Sequence, residues 1–225
     1  VLEPSSVIRE DFDRIALLAG DAWNHNEHYH AFLLRRLPEK MGQALEIGCG
    51  KGAFSRLLAA RADGVTAVDL SPEMIRQAEE RSADFPNIDF QTADILEWNW
   101  PPAKYDAIAS IAALHHLPLE WIFRRCRSAL APGGVLAVLD LYQVESPADY
   151  LASLLALPAD AALRFLHDHR FRESRSGREA WSRHEGHEHY LALSGIRKAC
   201  SEFLPGAAVR RHLLWRYSIV WKKPA

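Results

Sequence analysis

A chain of 225 residues with 48% hydrophobic content can bury one substantial core and is expected to form a single domain over residues 1–225. Its formal net charge of −2 gives no electrostatic basis for bulk nucleic-acid binding, which calls for a clearly basic surface. No stretch reaches the ~20 continuous apolar residues of a membrane helix, and the first residues lack the charged-then-apolar layout of a secretion signal.

In chain order, residues 8–42 come first and carry the run Trp23-Asn24-His25-Asn26-Glu27-His28-Tyr29-His30. A helix follows whose apolar face is Tyr29, Phe32, Leu33 and Leu37 at helical spacing, with His25 and His28 expected to face solvent. A strand-like run at 43–48 then enters Glu46-Ile47-Gly48-Cys49-Gly50-Lys51-Gly52. Alternating glycines after a strand let the backbone turn tightly and approach a small ligand, because no Cβ stands in the way. Gly48, Gly50 and Ala53 also satisfy the loose dinucleotide fingerprint, so the glycines alone do not choose a cofactor. Glu46 does. A pyrophosphate needs positive potential, whereas S-adenosylmethionine (SAM) has no phosphate and carries a sulfonium and an ammonium, which an acidic residue suits.

A helix is expected at 53–61, then a strand at 64–69 that ends on Asp69, 21 residues beyond Gly48. That distance fits a second parallel strand delivering a carboxylate to ribose hydroxyls. Ser71-Pro72-Glu73 opens a helix at 72–82 with a capping hydroxyl and a first-turn proline. The strand at 88–93 ends before another acid, Asp94. Trp98-Asn99-Trp100-Pro101-Pro102 rules out a long helix in the next connection. A strand at 105–111, a helix at 120–129 and a strand at 134–141 complete a β-α-β rhythm, which implies a parallel sheet covered by helices on both faces. Residues 143–190 form an insertion with apolar helices over 150–166, followed by a stretch rich in arginine and histidine. After a helix at 191–203, strands at 208–213 and 216–221 lie so close in sequence that they must form an antiparallel hairpin.

These motifs, together with Leu114-His115-His116-Leu117 after the fourth strand and Pro132-Gly133-Gly134 as the turn before the fifth, make the chain resemble the class I SAM-dependent methyltransferases, particularly the small-molecule and UbiE-like group. The resemblance covers residues 43–141. It implies a Rossmann-like seven-stranded mixed sheet, parallel except for an antiparallel C-terminal hairpin strand, with SAM as the cofactor. It assigns Glu46, Gly48 and Gly50 to the methionine end, Asp69 to the ribose and Asp94 to the adenine amino group, with Leu70 and Ile95 flanking the ring. Tyr29, His30, Cys49, Met74, Ser110 and Ile111 complete the expected cofactor-binding set. The segments 8–42 and 143–190 fall where the resembling enzymes enclose their substrates.

Methyl transfer is a direct displacement at an activated carbon, so alignment and exclusion of water are the main requirements. A general base is needed only when the acceptor atom carries a proton. His115 and His116 are the candidate catalytic residues, with packing against the methionine moiety or holding a loop as the alternative. Trp181, His184 and His187 are candidate substrate contacts. The run His184-Glu185-Gly186-His187-Glu188-His189 has the composition of a metal cluster, but Gly186 weakens the helix that would make it converge. No metal is expected. The arginine surplus after residue 163 reads as a solvated loop.

The fourth strand is not followed by Asn-Pro-Pro-Tyr, and no Pro-Cys nucleophile occurs, since Arg125 precedes Cys126. Cys49, Cys126 and Cys200 form neither a C-x-x-C pair nor a disulfide framework, which fits a cytoplasmic location. The expected activity is methyl transfer to a small-molecule acceptor at oxygen, nitrogen or sulfur, with no membrane partner. A tRNA or protein methyltransferase, a non-catalytic SAM-binding module and an NAD-linked oxidoreductase remain as alternatives.

Overall fold

The computed structural model describes residues 3–18, 25–168, 179, 182 and 190–225. Three helices, α1 (Ser5–Leu18), α2 (His25–His28) and α3 (His30–Leu34), precede β1 (Met41–Ile47), α4 (Ala53–Ala59), β2 (Ala62–Asp69), α5 (Pro72–Arg81), β3 (Ile88–Thr92) and β4 (Tyr105–Ile111). Then come α6 (Leu119–Ala129), β5 (Leu130–Leu141), α7 (Pro147–Asp168), α8 (Leu193–Phe203), β6 (Ala208–Arg211) and β7 (Arg216–Lys222).

The strands form one sheet in the order β3-β2-β1-β4-β5-β7-β6. Neighbours from β3 to β5 are parallel, and β7 runs antiparallel to both β5 and β6. Burial on both faces explains why the central strands read as apolar runs rather than alternating ones: Tyr105, Ala107, Ile108, Ala109 and Ser110 of β4 are all buried. One core includes Leu45, Ile47 and Ile108 of the sheet with Ile122 and Phe123 of α6 and Ile196 of α8. The other unites Ala44, Val65 and Ala107 with Leu33 of α3 and with Phe54 and Leu58 of α4. Chain order reverses at β1, whose neighbours are β2 and β4. The crevice beyond the carboxyl ends of strands at such a reversal is where open α/β sheets bind ligands.

Helix α5 begins as its sequence requires. The Ser71 side chain accepts from the Met74 amide at 3.0 Å, and Pro72 occupies the first turn, where its missing N–H costs nothing. No helix follows β3: the chain from 93 to 104 is irregular, in keeping with its prolines.

Four features differ from the sequence reading. The Pro132-Gly133-Gly134 turn lies inside β5, which starts at Leu130. Tyr105 pairs with Leu130 and Ala107 with Val135, so the turn is absorbed as an irregularity in which β5 spends five residues against two of β4. The expected helix over Tyr29, Phe32, Leu33 and Leu37 is broken at Tyr29 and ends at Leu34, although Tyr29, Leu33 and Leu37 are all buried. His25 is half-buried, with its Nε2 2.6 Å from Asp160 Oδ1 on α7, whereas His28 is exposed as expected. The apolar part of the insertion is one helix, α7, containing Pro158, and it turns Tyr150, Leu151, Leu154, Leu155 and Leu157 to solvent rather than burying them.

Candidate active site

The glycine loop leaves β1 with positive φ at Gly48 (72°), Gly50 (50°) and Gly52 (72°), a region costly for any residue with a Cβ. Gly48 is constrained twice, because a Cβ there would lie 2.4 Å from the Cβ of Ala113. At Gly50 a Cβ would meet nothing within 4 Å. The loop is therefore closed toward β4 at Gly48 and open at Gly50, forming a backbone cradle for a ligand.

Three acids stand at the ends of β1, β2 and β3, and Asp69 bonds this loop directly. Glu46 is 2% exposed and accepts from the Ser55 hydroxyl of α4 at 2.5 Å. Burial pushes its pKa up to about 8; the Ser55 bond and Arg56 oppose the rise, and Asp69 adds to it. At neutral pH this carboxyl holds its proton until a cation arrives nearby, a response suited to a sulfonium or ammonium. Asp69 takes the Gly50 amide on Oδ2 at 2.8 Å and the Ser71 amide on Oδ1 at 2.9 Å. Burial raises its pKa, and these backbone donors work against the rise. Asp94 accepts from the Leu96 amide at 2.9 Å. Leu70 and Asp94 share a groove of about 300 Å³ whose other walls include Ser5, Ser6 and Arg9 of α1, while Ile95 is buried in the core beside it.

Helix α1 is fastened to the same region. Asp13 accepts from the Ser71 hydroxyl at 2.5 Å, and the Gln77 side chain donates to the Ala16 carbonyl at 2.9 Å. Met74 is buried with Ile15 and Ala16 in that contact. Sequence reasoning did not find Asp13, because nothing in an amphipathic helix marks which acid will meet a turn 58 residues away.

The remaining expected residues fall in several environments. Ser110 donates to the Ile47 carbonyl at 2.9 Å, tying β4 to β1, and Ile111 is half-buried at the end of β4. Cys49 is buried, and its thiol is pushed well up by burial and by Asp69 and Glu46, so it is no nucleophile. Tyr29 is buried and donates its hydroxyl to the Leu213 carbonyl at 2.7 Å, while burial lifts its pKa to about 12. The His30 ring lies 5.2 Å from that of Phe54, next to the glycine loop, and burial lowers its pKa to about 4, so it is neutral at pH 7. Trp23, Trp181, His184, His187 and His189 lie outside the described residues. Among the described residues no group of three His, Cys, Asp or Glu side chains could hold a metal ion.

Beyond β4 the chain passes through Ala112 at φ 51° into a short 3-10 turn, Leu114–His116. His115 Nδ1 lies 2.6 Å from Asp140 Oδ1, and the His115 amide donates to Asp140 Oδ2 at 2.9 Å. Asp140 is 0% exposed near the end of β5 and also accepts from the Leu141 amide at 2.8 Å. The His116 ring stands 4.0 Å from that of His115 and 5.8 Å from Phe12 of α1. Asp140 was missed in the sequence, where its signal was a lone acid in the otherwise apolar run from Val135 to Leu141.

The chain is similar to known proteins. A methyltransferase domain family matches residues 44–134. An uncharacterised methyltransferase of Mycobacterium tuberculosis is 32% identical over 90% of this chain and 98% of its own length. The chain belongs to the class I SAM-dependent methyltransferases. Its fold is that of the N-methyltransferase NodS from Bradyrhizobium japonicum, solved with S-adenosylhomocysteine (SAH), with a TM-score of 0.64 at 19% identity over 96% of this chain and 98% of that one. A further relative is the 27-O-demethylrifamycin SV methyltransferase of Amycolatopsis mediterranei, 30% identical over 63% of this methyltransferase and 60% of that enzyme. Membership removes the NAD-linked alternative and makes SAM the cofactor. The open cradle at Gly50 and the acids at the strand ends fit a cationic, phosphate-free ligand.

Proposed function

We propose that this methyltransferase alkylates a small-molecule acceptor at oxygen, nitrogen or sulfur by direct displacement. The observation that carries the reading is the 2.6 Å contact of His25 on α2 with Asp160 on α7. It joins the segment before β1 to the insertion after β5, the two segments expected to enclose the acceptor. α1 is fastened separately, through Asp13 to Ser71. Cross-linked covers of this kind suit a small acceptor held away from water better than a tRNA or protein, and the net charge of −2 supports the same preference.

In this reading Gly48 and Gly50 bring the backbone against the methionine portion of SAM, and Glu46 supplies the negative charge beneath it. Asp69 holds the ribose, and Asp94 the adenine amino group, with Leu70 and Ile95 against the ring. Cys49, Met74, Ser110, Ile111, Tyr29 and His30 complete the walls. When bound, the cofactor supplies a methyl group already activated by a positively charged sulfur. The protein's work is then alignment of the acceptor atom and exclusion of water, with His115 or His116 taking a proton when the acceptor carries one. Trp181, His184 and His187 are assigned to the acceptor. The buried free thiols Cys49, Cys126 and Cys200 fit the reducing cytoplasm.

The test is a screen of small acceptors with methyl-labelled SAM, read by mass spectrometry. Label in a small-molecule product is expected. Label found only in tRNA or protein from an extract would replace the acceptor class.

A further inference from the structure

We propose that α7 is a dimer interface, in which the outward apolar face of this helix docks antiparallel against the same face of a second copy of the chain. The proposal goes beyond the methyl-transfer reading and does not depend on the acceptor.

A surface helix turns its apolar stripe to the core and its polar residues to water. In α7 the polar side faces inward instead. Asp149 is buried, accepting from the Ser146 amide at 2.9 Å and from Arg211 of β6 at 2.7 Å, and Asp160 meets His25. The Ser153 hydroxyl is buried on the same side. These contacts fix the rotation of the helix, and its other side presents Tyr150, Leu151, Leu154, Leu155, Leu157 and Leu166, each 56 to 68% exposed. Pro158, Ala161 and Ala162 lie on that face too and are exposed.

Six large side chains at that exposure offer on the order of 700 Å² of apolar surface, above the roughly 300–600 Å² of the largest patch on a typical monomer and close to the roughly 800 Å² per partner of a stable interface. Residues 169–189, which follow α7 in the chain, contribute only Phe171 and Trp181 as large apolar side chains, too few to match the six.

A second copy fits this face better than a charged partner or a lipid surface. From residue 147 to 163 the only charged residues are Asp149 and Asp160, both engaged on the inner side. The face therefore has no charge for a charged partner to read, and no basic residue stands in this stretch to meet anionic headgroups. Two copies meeting here bring no like charges together. Bulk is also unevenly distributed along the face. Tyr150, Leu151, Leu154 and Leu155 fill its first half, Pro158, Ala161 and Ala162 its second, with Leu157 between them and Leu166 beyond. Antiparallel pairing about a two-fold axis sets the bulky half of each copy against the small half of the other, which is the self-complementarity such an interface requires.

Sedimentation velocity and light scattering on the full chain across about 1–100 μM, where an interface of modest affinity assembles, test this. Wild type should reach twice the 25.4 kDa mass of one chain. Leu154→Glu, which buries an unpaired charge in the interface, should raise the dimer dissociation constant at least ~30-fold. Its circular dichroism and SAH affinity should not change, because the side chain is exposed in the single chain. Leu155→Gln should weaken the dimer in the same direction without adding charge. Leu151→Glu should also weaken it, and combining that change with Ala162→Lys should restore it, since antiparallel order brings residue 151 of one copy to residue 162 of the other. A wild type that stays monomeric at the highest concentration would overturn the proposal. If that monomer floats with phosphatidylglycerol vesicles and Leu154→Glu does not, the face belongs to lipid instead. A dimer indifferent to Leu154→Glu and Leu155→Gln overturns it as well, by placing the interface elsewhere, and a combined variant that stays monomeric overturns the antiparallel order.

Discussion

The carboxylate of Asp69 accepts from the backbone amide of Gly50 at 2.8 Å. The acid at the end of β2 is thus part of what shapes the glycine loop at the end of β1, besides being the residue proposed to meet the ribose. Asp69→Ala should weaken SAM and SAH binding by a similar amount, because both carry the ribose, at about 1–3 kcal/mol for loss of a charged acceptor. Isothermal titration with both ligands checks this. Unchanged affinity would remove the ribose assignment and leave Asp69 with its loop role alone.

Glu46 makes the stability of the ligand-free protein depend on pH. Its pKa is raised by burial to about 8 in the fold, against roughly 4.3 in an unfolded chain. Between those values the folded state holds a proton that the unfolded state releases. Stability should therefore fall as pH rises through that window, with a slope approaching about 1.4 kcal/mol per pH unit from this one group. Glu46→Gln, which keeps the shape and removes the titration, should flatten the slope in urea melts between pH 5 and 8. SAM should release a proton on binding, whereas SAH, lacking the sulfonium, should release less. An unchanged slope in Glu46→Gln would show that the group does not titrate there.

The hydroxyl of Tyr29 is engaged with the Leu213 carbonyl, 184 residues away in sequence. Tyr29→Phe removes a part-buried bond to an exposed residue, so a loss of about 0.5–1.5 kcal/mol in stability is expected. Thermal denaturation measures it. A fall in SAM affinity without a fall in Tm would instead put the Tyr29 hydroxyl on the cofactor.

Removing residues 1–24 deletes α1 while keeping Tyr29 and Leu33, which belong to the core. The sheet should stay folded. The groove beside Leu70 and Asp94 loses its Ser5, Ser6 and Arg9 wall, and Met74 loses Ile15 and Ala16. Turnover should therefore drop steeply, with weaker SAM binding. A folded truncation that keeps full activity would reduce α1 to surface packing.

Strand and helix positions and the glycine loop were readable because their causes are local. A positive φ demands glycine at 48 and 50, apolar runs demand a doubly covered sheet, and a hairpin with a short connection must be antiparallel. Asp140 and His115, Asp13 and Ser71, and Tyr29 and Leu213 were not readable as partners, because each pair is joined by the fold across 25 or more residues. Pro132-Gly133-Gly134 misled for a physical reason: the same residues that make a turn also make an irregularity inside a strand. The sequence of α7 is apolar, yet composition cannot say whether a neighbour exists for an apolar face. Its leucines are largely exposed.

The most direct test of the account is a crystal structure of the chain with SAH. It should place the ribose hydroxyls within hydrogen-bond distance of Asp69, the adenine amino group at Asp94 and the methionine portion against Gly50 above Glu46. SAH bound away from these residues, or held with Asp69 engaged only by Gly50 and Ser71, would contradict it.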